Sequence, residues 1–308
     1  MRQSIHQDPR PKENVENDSD SDTNNVSGQS SLPHLPVAHS SLRAYFLRLF
    51  GYLLRPIYWY YERRLDTQVR AGQPPCHIGL ILDGNRRFAR NFGIRAIRGH
   101  EYGIKKLREF LQWCLDFRIS HVTLYVFSTE NFTRSSEEVQ TLLDLFVKES
   151  AEMLKNPRLS SEEVRVRIIG QRHRLPQHVI EASEEIEIST ANRKGMLVTV
   201  ALAYGGREEI TDACKALLRD AQAKQLTLEE LAKNLTPEDL ERYLYTAGTP
   251  DPDFIIRTSG EQRLSGFLLW QSAYSEFYFC DALWPDFRRI DFLRALRSYQ
   301  QRERRFGR

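Results

Sequence analysis

The chain has 308 residues, enough for one large domain or two small ones with a sizeable core. A formal net charge of +3 is too mild to call for nucleic acid, and 28% charged with 41% apolar residues is ordinary for a soluble globular protein. The four cysteines are scattered without CxxC spacing, which argues against a disulfide framework or a zinc site and suits a reducing cytoplasm.

From the N-terminus, residues 1–40 are dominated by Ser, Asn, Asp and Pro. Such a segment buries too little apolar surface to offset its ordering entropy, and it is expected to be a disordered tail. It opens MRQSIHQDPRPKENVENDSD, which has no apolar core of a secretory signal and is too acidic for a typical transit peptide. Residues 41–70 form an aromatic and basic amphipathic segment. Its centre, LRAYFLRLFGYLLRPIYWYYERRL at 42–65, sets leucines and rings among Arg43, Arg48, Arg55, Arg63 and Arg64, and Pro56 should break or kink any helix there. No apolar run in the chain reaches the about 18 residues of a spanning helix. Two readings of 42–65 stand. One is peripheral contact with the cytoplasmic face of a membrane, rings at headgroup depth and cations on anionic lipid. The other is a helix packed on the domain or on a partner chain.

Residues 71–308 read as one domain. The runs HIGLIL (77–82), VTLYVFS (122–128), VRVRIIG (164–170), MLVTVALAYGG (196–206) and DFIIRTSG (253–260) are nearly continuous in apolar residues. Strands buried on both faces of a parallel sheet have this composition. Between them lie segments with helical spacing. Leu107, Phe110, Leu111 and Leu115 mark one; Val139, Leu142, Leu143 and Phe146 mark another, preceded by the plausible cap Ser135-Ser136-Glu137-Glu138. The alternation predicts an α/β fold with a mostly parallel central sheet of about six strands, flanked by helices on both faces.

In open α/β sheets ligands gather beyond the carboxyl ends of the strands. The residues there form four clusters: Asp83, Gly84, Asn85, Arg86 and Arg87; Ser128, Thr129, Glu130, Asn131 and Arg134; Tyr204 to Arg207; and Arg257, Thr258, Ser259, Gly260, Glu261, Arg263 and Ser265. Singly, Arg134 and Arg207 read as solvated surface charges and Gly205-Gly206 as a turn. Together the clusters describe a polyanion site, because guanidinium forks bind phosphate oxygens and glycine admits backbone amides. Neither a Walker loop nor a G-x-G-x-x-G fingerprint is present, which disfavours a nucleotide phosphotransferase. Asp83 would repel an anion unless a divalent cation lay between them, and Mg2+ is commonly held by one or two carboxylates plus substrate phosphates. Asp83 can also cap the following helix without losing that role.

The stretches HIGLILDGNRRFAR, GHEYGIKKL, LYVFSTENFTRSSEEV, ALAYGGREEI, IRTSGEQRLSGFLLWQSAYSEFYF and LWPDF resemble the cis-prenyltransferases, the family of undecaprenyl and dehydrodolichyl diphosphate synthases. The resemblance runs from about residue 77 to the C-terminus and does not cover residues 1 to about 70. It implies an enzyme that elongates an allylic prenyl diphosphate with isopentenyl diphosphate, making a Z double bond at each step with Mg2+. It implies Asp83 as the essential metal-site acid and Glu276 as the second metal carboxylate. Gly84, Asn85, Arg86 and Arg87 then form the loop that holds the allylic diphosphate, His100 and Arg134 line the same region, and Phe88, Arg95, Ser128, Glu130, Asn131 and Phe132 are further substrate-binding residues. Arg257, Arg263 and Ser265 match isopentenyl diphosphate binders, and Asn85 and Ser128 are catalytic candidates for positioning or proton handling. Arg305 and Gly307 match an Arg-x-G tail that reaches across a homodimer to help bind isopentenyl diphosphate; composition alone reads that tail as a frayed end.

Two departures stand out. Ala96 occupies the place of a usual arginine, with Arg95 and Arg98 flanking it, and Phe88 stands where many members have tryptophan. The growing chain needs an apolar tunnel, for which the two leucine-rich helices are candidate walls, and Val126 in place of a common alanine points to a shorter or medium-length product. The rival readings are a non-catalytic partner subunit, which tends to lose the aspartate and loop arginines kept here, and a lipid-surface module, which leaves the strand-end arginines unexplained.

Overall fold

In this computed structural model the described residues are 58–155 and 164–302. All lie within the compact unit Arg55–Arg308. The expected disordered tail, residues 41–57 with Pro56, and the terminal Arg305 and Gly307 fall outside them.

Six strands form one sheet: β1 (His77–Ile81), β2 (His121–Ser128), β3 (Val164–Ile169), β4 (Met196–Tyr204), β5 (Phe254–Arg257) and β6 (Glu276–Phe279). Their spatial order is β3-β4-β2-β1-β5-β6, and every pairing is parallel. Helices α2 (Asn85–Asn91) and α3 (Ala96–Asp116) cross from β1 to β2, α4 (Ser136–Lys155) leads towards β3, and α5 (Gln177–Thr190) joins β3 to β4. Helices α6 (Gly206–Ala223), α7 (Leu228–Asn234) and α8 (Pro237–Glu241) precede β5, and α9 (Arg289–Gln300) follows β6.

The apolar runs are continuous because each strand is covered on both sides. Ile78 and Leu80 point into a large core with Phe110, Leu143 and Phe292 from α3, α4 and α9. Their neighbour Ile81 points the other way, into a smaller cluster with Ala201, Tyr204, Ile255, Phe267 and Leu268. The period of two thus divides one apolar run between two layers. Aromatic packing is densest where α3 meets α9, with Phe110 and Phe292 edge to face at 5.2 Å and Trp113 stacked on Phe292 at 6.0 Å.

Residues 58–71 form a first helix, α1, that packs on this core. Leu65 and Val69 are buried. Arg289 of α9 pairs with Glu62 at 3.2 Å and also with Asp66, while Gln300 donates to the Val69 carbonyl at 2.9 Å. The described part of the aromatic segment therefore packs on the domain through one face. Tyr58, Trp59 and Tyr60 remain exposed on the other. Leu65→Ala is expected to lower stability by about 2–5 kcal/mol in urea unfolding, whereas Tyr60→Ala should change it by no more than about 0.5 kcal/mol.

Candidate active site

The four strands that carry the basic clusters, β4, β2, β1 and β5, are neighbours in the sheet. Parallel pairing brings their carboxyl ends to one edge. Immediately after β1, Asp83 is followed by Gly84 in the left-handed region at φ 112°. A side chain there would be strained, and its Cβ would lie 3.0 Å from Leu283. Gly84 stands at the N-cap of α2 and its carbonyl accepts from the Phe88 amide at 2.8 Å. The capping role open to Asp83 is therefore not the one it takes.

Asp83 faces arginines instead. Arg257, 4% exposed, donates from Nη2 to Asp83 Oδ2 at 2.9 Å and from Nη1 to Ser265 Oγ at 2.9 Å and the Arg263 carbonyl. Arg87 approaches the same carboxylate oxygen at 3.4 Å and donates to Ser259 Oγ and O at 2.5 and 3.1 Å. Burial works to raise the Asp83 pKa, but hydrogen bonds from Arg257 and Ser259, with the charges of Arg257 and Arg87, hold it below the usual carboxylate range. The backbone is fixed as firmly. The Asp83 carbonyl accepts from Thr258 Oγ1 at 2.6 Å and from the Trp284 amide at 3.0 Å.

A second group forms across the mouth. Glu138 of α4 accepts from Arg134 at 2.9 Å and lies 3.7 Å from Arg86. His100 of α3 sits beside them. Burial first, then the charges of Arg134 and Arg86, push its pKa down to about 4 against the pull of Glu138, so the imidazole is neutral near pH 7. Its Nε2 and the Oδ1 of Asn85 are buried without a hydrogen-bond partner. Asn85 owes its place to Gly103, since a Cβ there would stand 2.3 Å from that Oδ1.

Both atoms belong to residues that line a cavity of about 570 Å³. Asp83, His100, Ser128, Glu130, Asn131, Arg134, Arg257 and Ser265 line its polar part, and Leu107, Leu111, Leu142, Phe146, Val166 and Val198 its apolar part. Of the candidate tunnel residues, Leu107, Leu111, Leu142 and Phe146 reach the lumen, while Phe110 and Leu143 are buried in the core. Val126 lines the cavity at an irregularity in the β2–β4 register, between Tyr125 and Phe127.

Several expected residues lie elsewhere. Phe88 packs against Phe92 and Tyr102, and Phe132 against Phe127 beneath the Arg174 guanidinium. Arg95 is exposed at the start of α3, and Arg98 pairs with Glu101 at 2.8 Å, so neither flanking arginine enters the cavity lining to replace the one absent at Ala96. Arg263 pairs with Glu261 on the surface. Asn131 accepts from the Ser128 amide at 3.0 Å, which shapes the turn after β2. Glu276, expected as a second metal carboxylate, stands apart from Asp83 within this chain. It pairs in register with Phe254 at the start of β6 and with Arg302 at 2.6 Å, whereas Asp83 lies beyond Ile81, opposite Arg257 at the other end. About three residues of strand, roughly 10 Å, separate those levels. Among the described residues no group of three or more His, Cys, Asp or Glu could hold a metal ion. The donor set fits a hard cation that takes one carboxylate and completes its shell with ligand oxygens. Sequence reasoning gave no site role to Glu138, Gly103 or Trp284, although each lies within a quoted motif: LYVFSTENFTRSSEEV, GHEYGIKKL and LWPDF.

An anion-binding rim over an apolar bore, at the carboxyl edge of a parallel sheet, defines a site for an amphiphile with an anionic head. Comparison with known proteins names the class. The family described as "Putative undecaprenyl diphosphate synthase" matches residues 81–307. An isoprenyl transferase of Thermus thermophilus is 59% identical over 256 residues, covering 83% of this chain and 97% of the relative. A tritrans,polycis-undecaprenyl-diphosphate synthase (geranylgeranyl-diphosphate specific) of Methanopyrus kandleri is 46% identical over 255 residues, covering 83% and 93%. The crystal structure of lavandulyl diphosphate synthase from Lavandula x intermedia in complex with dimethylallyl diphosphate superposes with a TM-score of 0.70 at 32% identity, over 76% of this chain and 99% of that one. The chain belongs to the undecaprenyl diphosphate synthase family and is an enzyme of the cis-prenyltransferase type.

Because His100 titrates near 6.5 when unfolded and near 4 when folded, the unfolded chain binds a proton between those values that the folded chain refuses. Stability should therefore fall as the pH drops through that window, by about 1.4 kcal/mol per pH unit for this group. His77, also pushed down to about 4 by burial, acts in the same direction. Urea unfolding across the window should show the slope, and His100→Gln should reduce it to the share left by His77.

Proposed function

We propose that this protein is a Mg2+-dependent cis-polyprenyl diphosphate synthase that condenses isopentenyl diphosphate onto an allylic prenyl diphosphate, such as farnesyl or geranyl diphosphate, with a Z double bond formed at each addition. The observation that carries this reading is a single cavity with two chemistries, Asp83 and Arg257 at one end and the leucine-rich faces of α3 and α4 at the other. The head of a prenyl diphosphate needs the first and its hydrocarbon the second.

In the reaction the allylic carbon–oxygen bond breaks and pyrophosphate leaves. The isopentenyl double bond supplies the electron pair of the new carbon–carbon bond, and a proton is lost from its C2. Arg86 and Arg134 would hold the allylic head near neutral His100, whose unpartnered Nε2 offers a hydrogen bond that costs no repulsion. Arg257 and Ser265 would hold the isopentenyl head. Asp83, kept ionised by Arg257, would hold the Mg2+ together with substrate oxygens; when bound, the metal neutralises charge on the leaving group. Asn85, with its buried free Oδ1, and Ser128 are placed to orient the reacting ends. The apolar wall would exclude water from the allylic centre.

The family resemblance of the Arg305 and Gly307 tail supports a homodimer as part of this proposal. Contact of the 42–65 region with the cytoplasmic face of a membrane is supported by exposed Trp59 and Tyr60, with the Arg63 guanidinium 5.3 Å from the Trp59 ring. A non-catalytic partner subunit finds no support, since the aspartate and arginines are assembled.

The test is incubation with radiolabelled isopentenyl diphosphate, farnesyl or geranyl diphosphate and Mg2+, followed by sizing of the extracted products. Label should enter polyprenyl products, stop on chelation and resume when Mg2+ is returned. Asp83→Ala should lower turnover by about 100-fold or more with the fold retained by circular dichroism. Normal turnover in that variant would refute the role given to Asp83.

A further inference from the structure

Helix α4 turns one stripe towards the cavity, formed by Leu142, Leu145, Phe146, Glu149, Ser150 and Met153 at helical spacing. The stripe runs away from Glu138 and the charged mouth, and Glu149 lies eleven residues further along, about 16 Å at the helical rise. Two of its members are polar. Ser150 turns its hydroxyl back to the Phe146 carbonyl at 3.0 Å, so its donor is spent inside the helix. Glu149 has no such internal partner; its carboxylate meets the Arg108 guanidinium of α3 at 2.5 Å. Arg108 does not line the cavity and its side chain is 43% exposed against 24% for Glu149, so the cation approaches from the solvent side of the α3–α4 seam.

An acidic side chain on a hydrocarbon-binding stripe is a conflict of chemistry, and the ion pair is what resolves it. We propose that Glu149 is a product-length determinant whose carboxylate Arg108 holds out of the hydrocarbon path. The inference rests on the prenyl-transfer reading above and adds to it an ion pair that lets elongation pass this depth of the bore. A carboxylate released from Arg108 carries its water into the bore, and a prenyl chain reaching that depth has to strip it. The first additions occur at the mouth and do not feel it. Later ones do, so loss of the cation shortens the product without slowing initiation. Loss of the carboxylate removes the obstacle whether or not the arginine is present.

The experiment sizes radiolabelled products from the full chain with farnesyl diphosphate, isopentenyl diphosphate and Mg2+, alongside the rate of the first addition at limiting isopentenyl diphosphate. Arg108→Met, with Arg108→Gln as a companion should the first fold poorly, is expected to shorten the main product by at least one isoprene unit with the first addition unchanged. Glu149→Ala should give products no shorter than the unsubstituted chain, and the Arg108→Met/Glu149→Ala double variant should recover full length. An interhelical clasp with no effect on the lumen predicts otherwise: both single variants melt lower together and product lengths stay put. Unchanged lengths in a folded Arg108 variant, or shortening by Glu149→Ala equal to that of Arg108→Met, would overturn the inference alone. No polyprenyl product from the unsubstituted protein would overturn the prenyl-transfer reading and this inference with it.

Discussion

The site depends on one ion pair, that of buried Arg257 with Asp83. A guanidinium at 4% exposure in the last residue of a central strand is costly unless its donors are met. Asp83, Ser265 and the Arg263 carbonyl meet those of its two terminal nitrogens, while the buried Nε has no partner. The pair in turn holds the carboxylate ionised while Arg87 crowds it from the other side. Positive charge is thereby concentrated at the mouth around a fixed anion, the arrangement in which a cation and a diphosphate can share one rim.

The parallel register makes that pair possible. Ile81 lies opposite Arg257, so the loops after β1 and β5 leave the sheet side by side. Hydrogen bonds from Thr258 and Trp284 to the Asp83 carbonyl then tie two distant stretches of chain to one residue. Trp284 also donates from its indole to the Gly103 carbonyl at 2.8 Å, which sets α3 against the same loop. The glycine at that point is a steric requirement, because Asn85 occupies the space a side chain would need.

The apolar bore is continuous with the core and differs from it by small rotations on a helix. Leu142 faces the lumen and Leu143 the core; Leu111 faces the lumen and Phe110 the core. A leucine-rich helix serves both purposes at once, since adjacent positions point about 100° apart. That economy explains how an enzyme for hydrocarbon elongation keeps the composition of an ordinary soluble domain.

Much of this was legible in the order of residues. Continuous apolar runs separated by helical spacing determined a parallel α/β sheet, because buried strands need no polar face, and the clusters after four runs marked the strand-end edge as anionic-ligand territory. The motif stretches carried the chemistry of Asp83, His100, Arg134 and Arg257. What the sequence could not decide depends on distance and direction. Phe88 and Phe132 share motifs with cavity residues, and Arg95 lies between two of them, yet these side chains point into packing or solvent, and Glu276 sits at the other end of its strand from Asp83 within one chain. Glu138 looked like part of a helix cap until folding set it between two arginines. Periodicity tells which face a residue shares, but only the packed structure tells what that face meets.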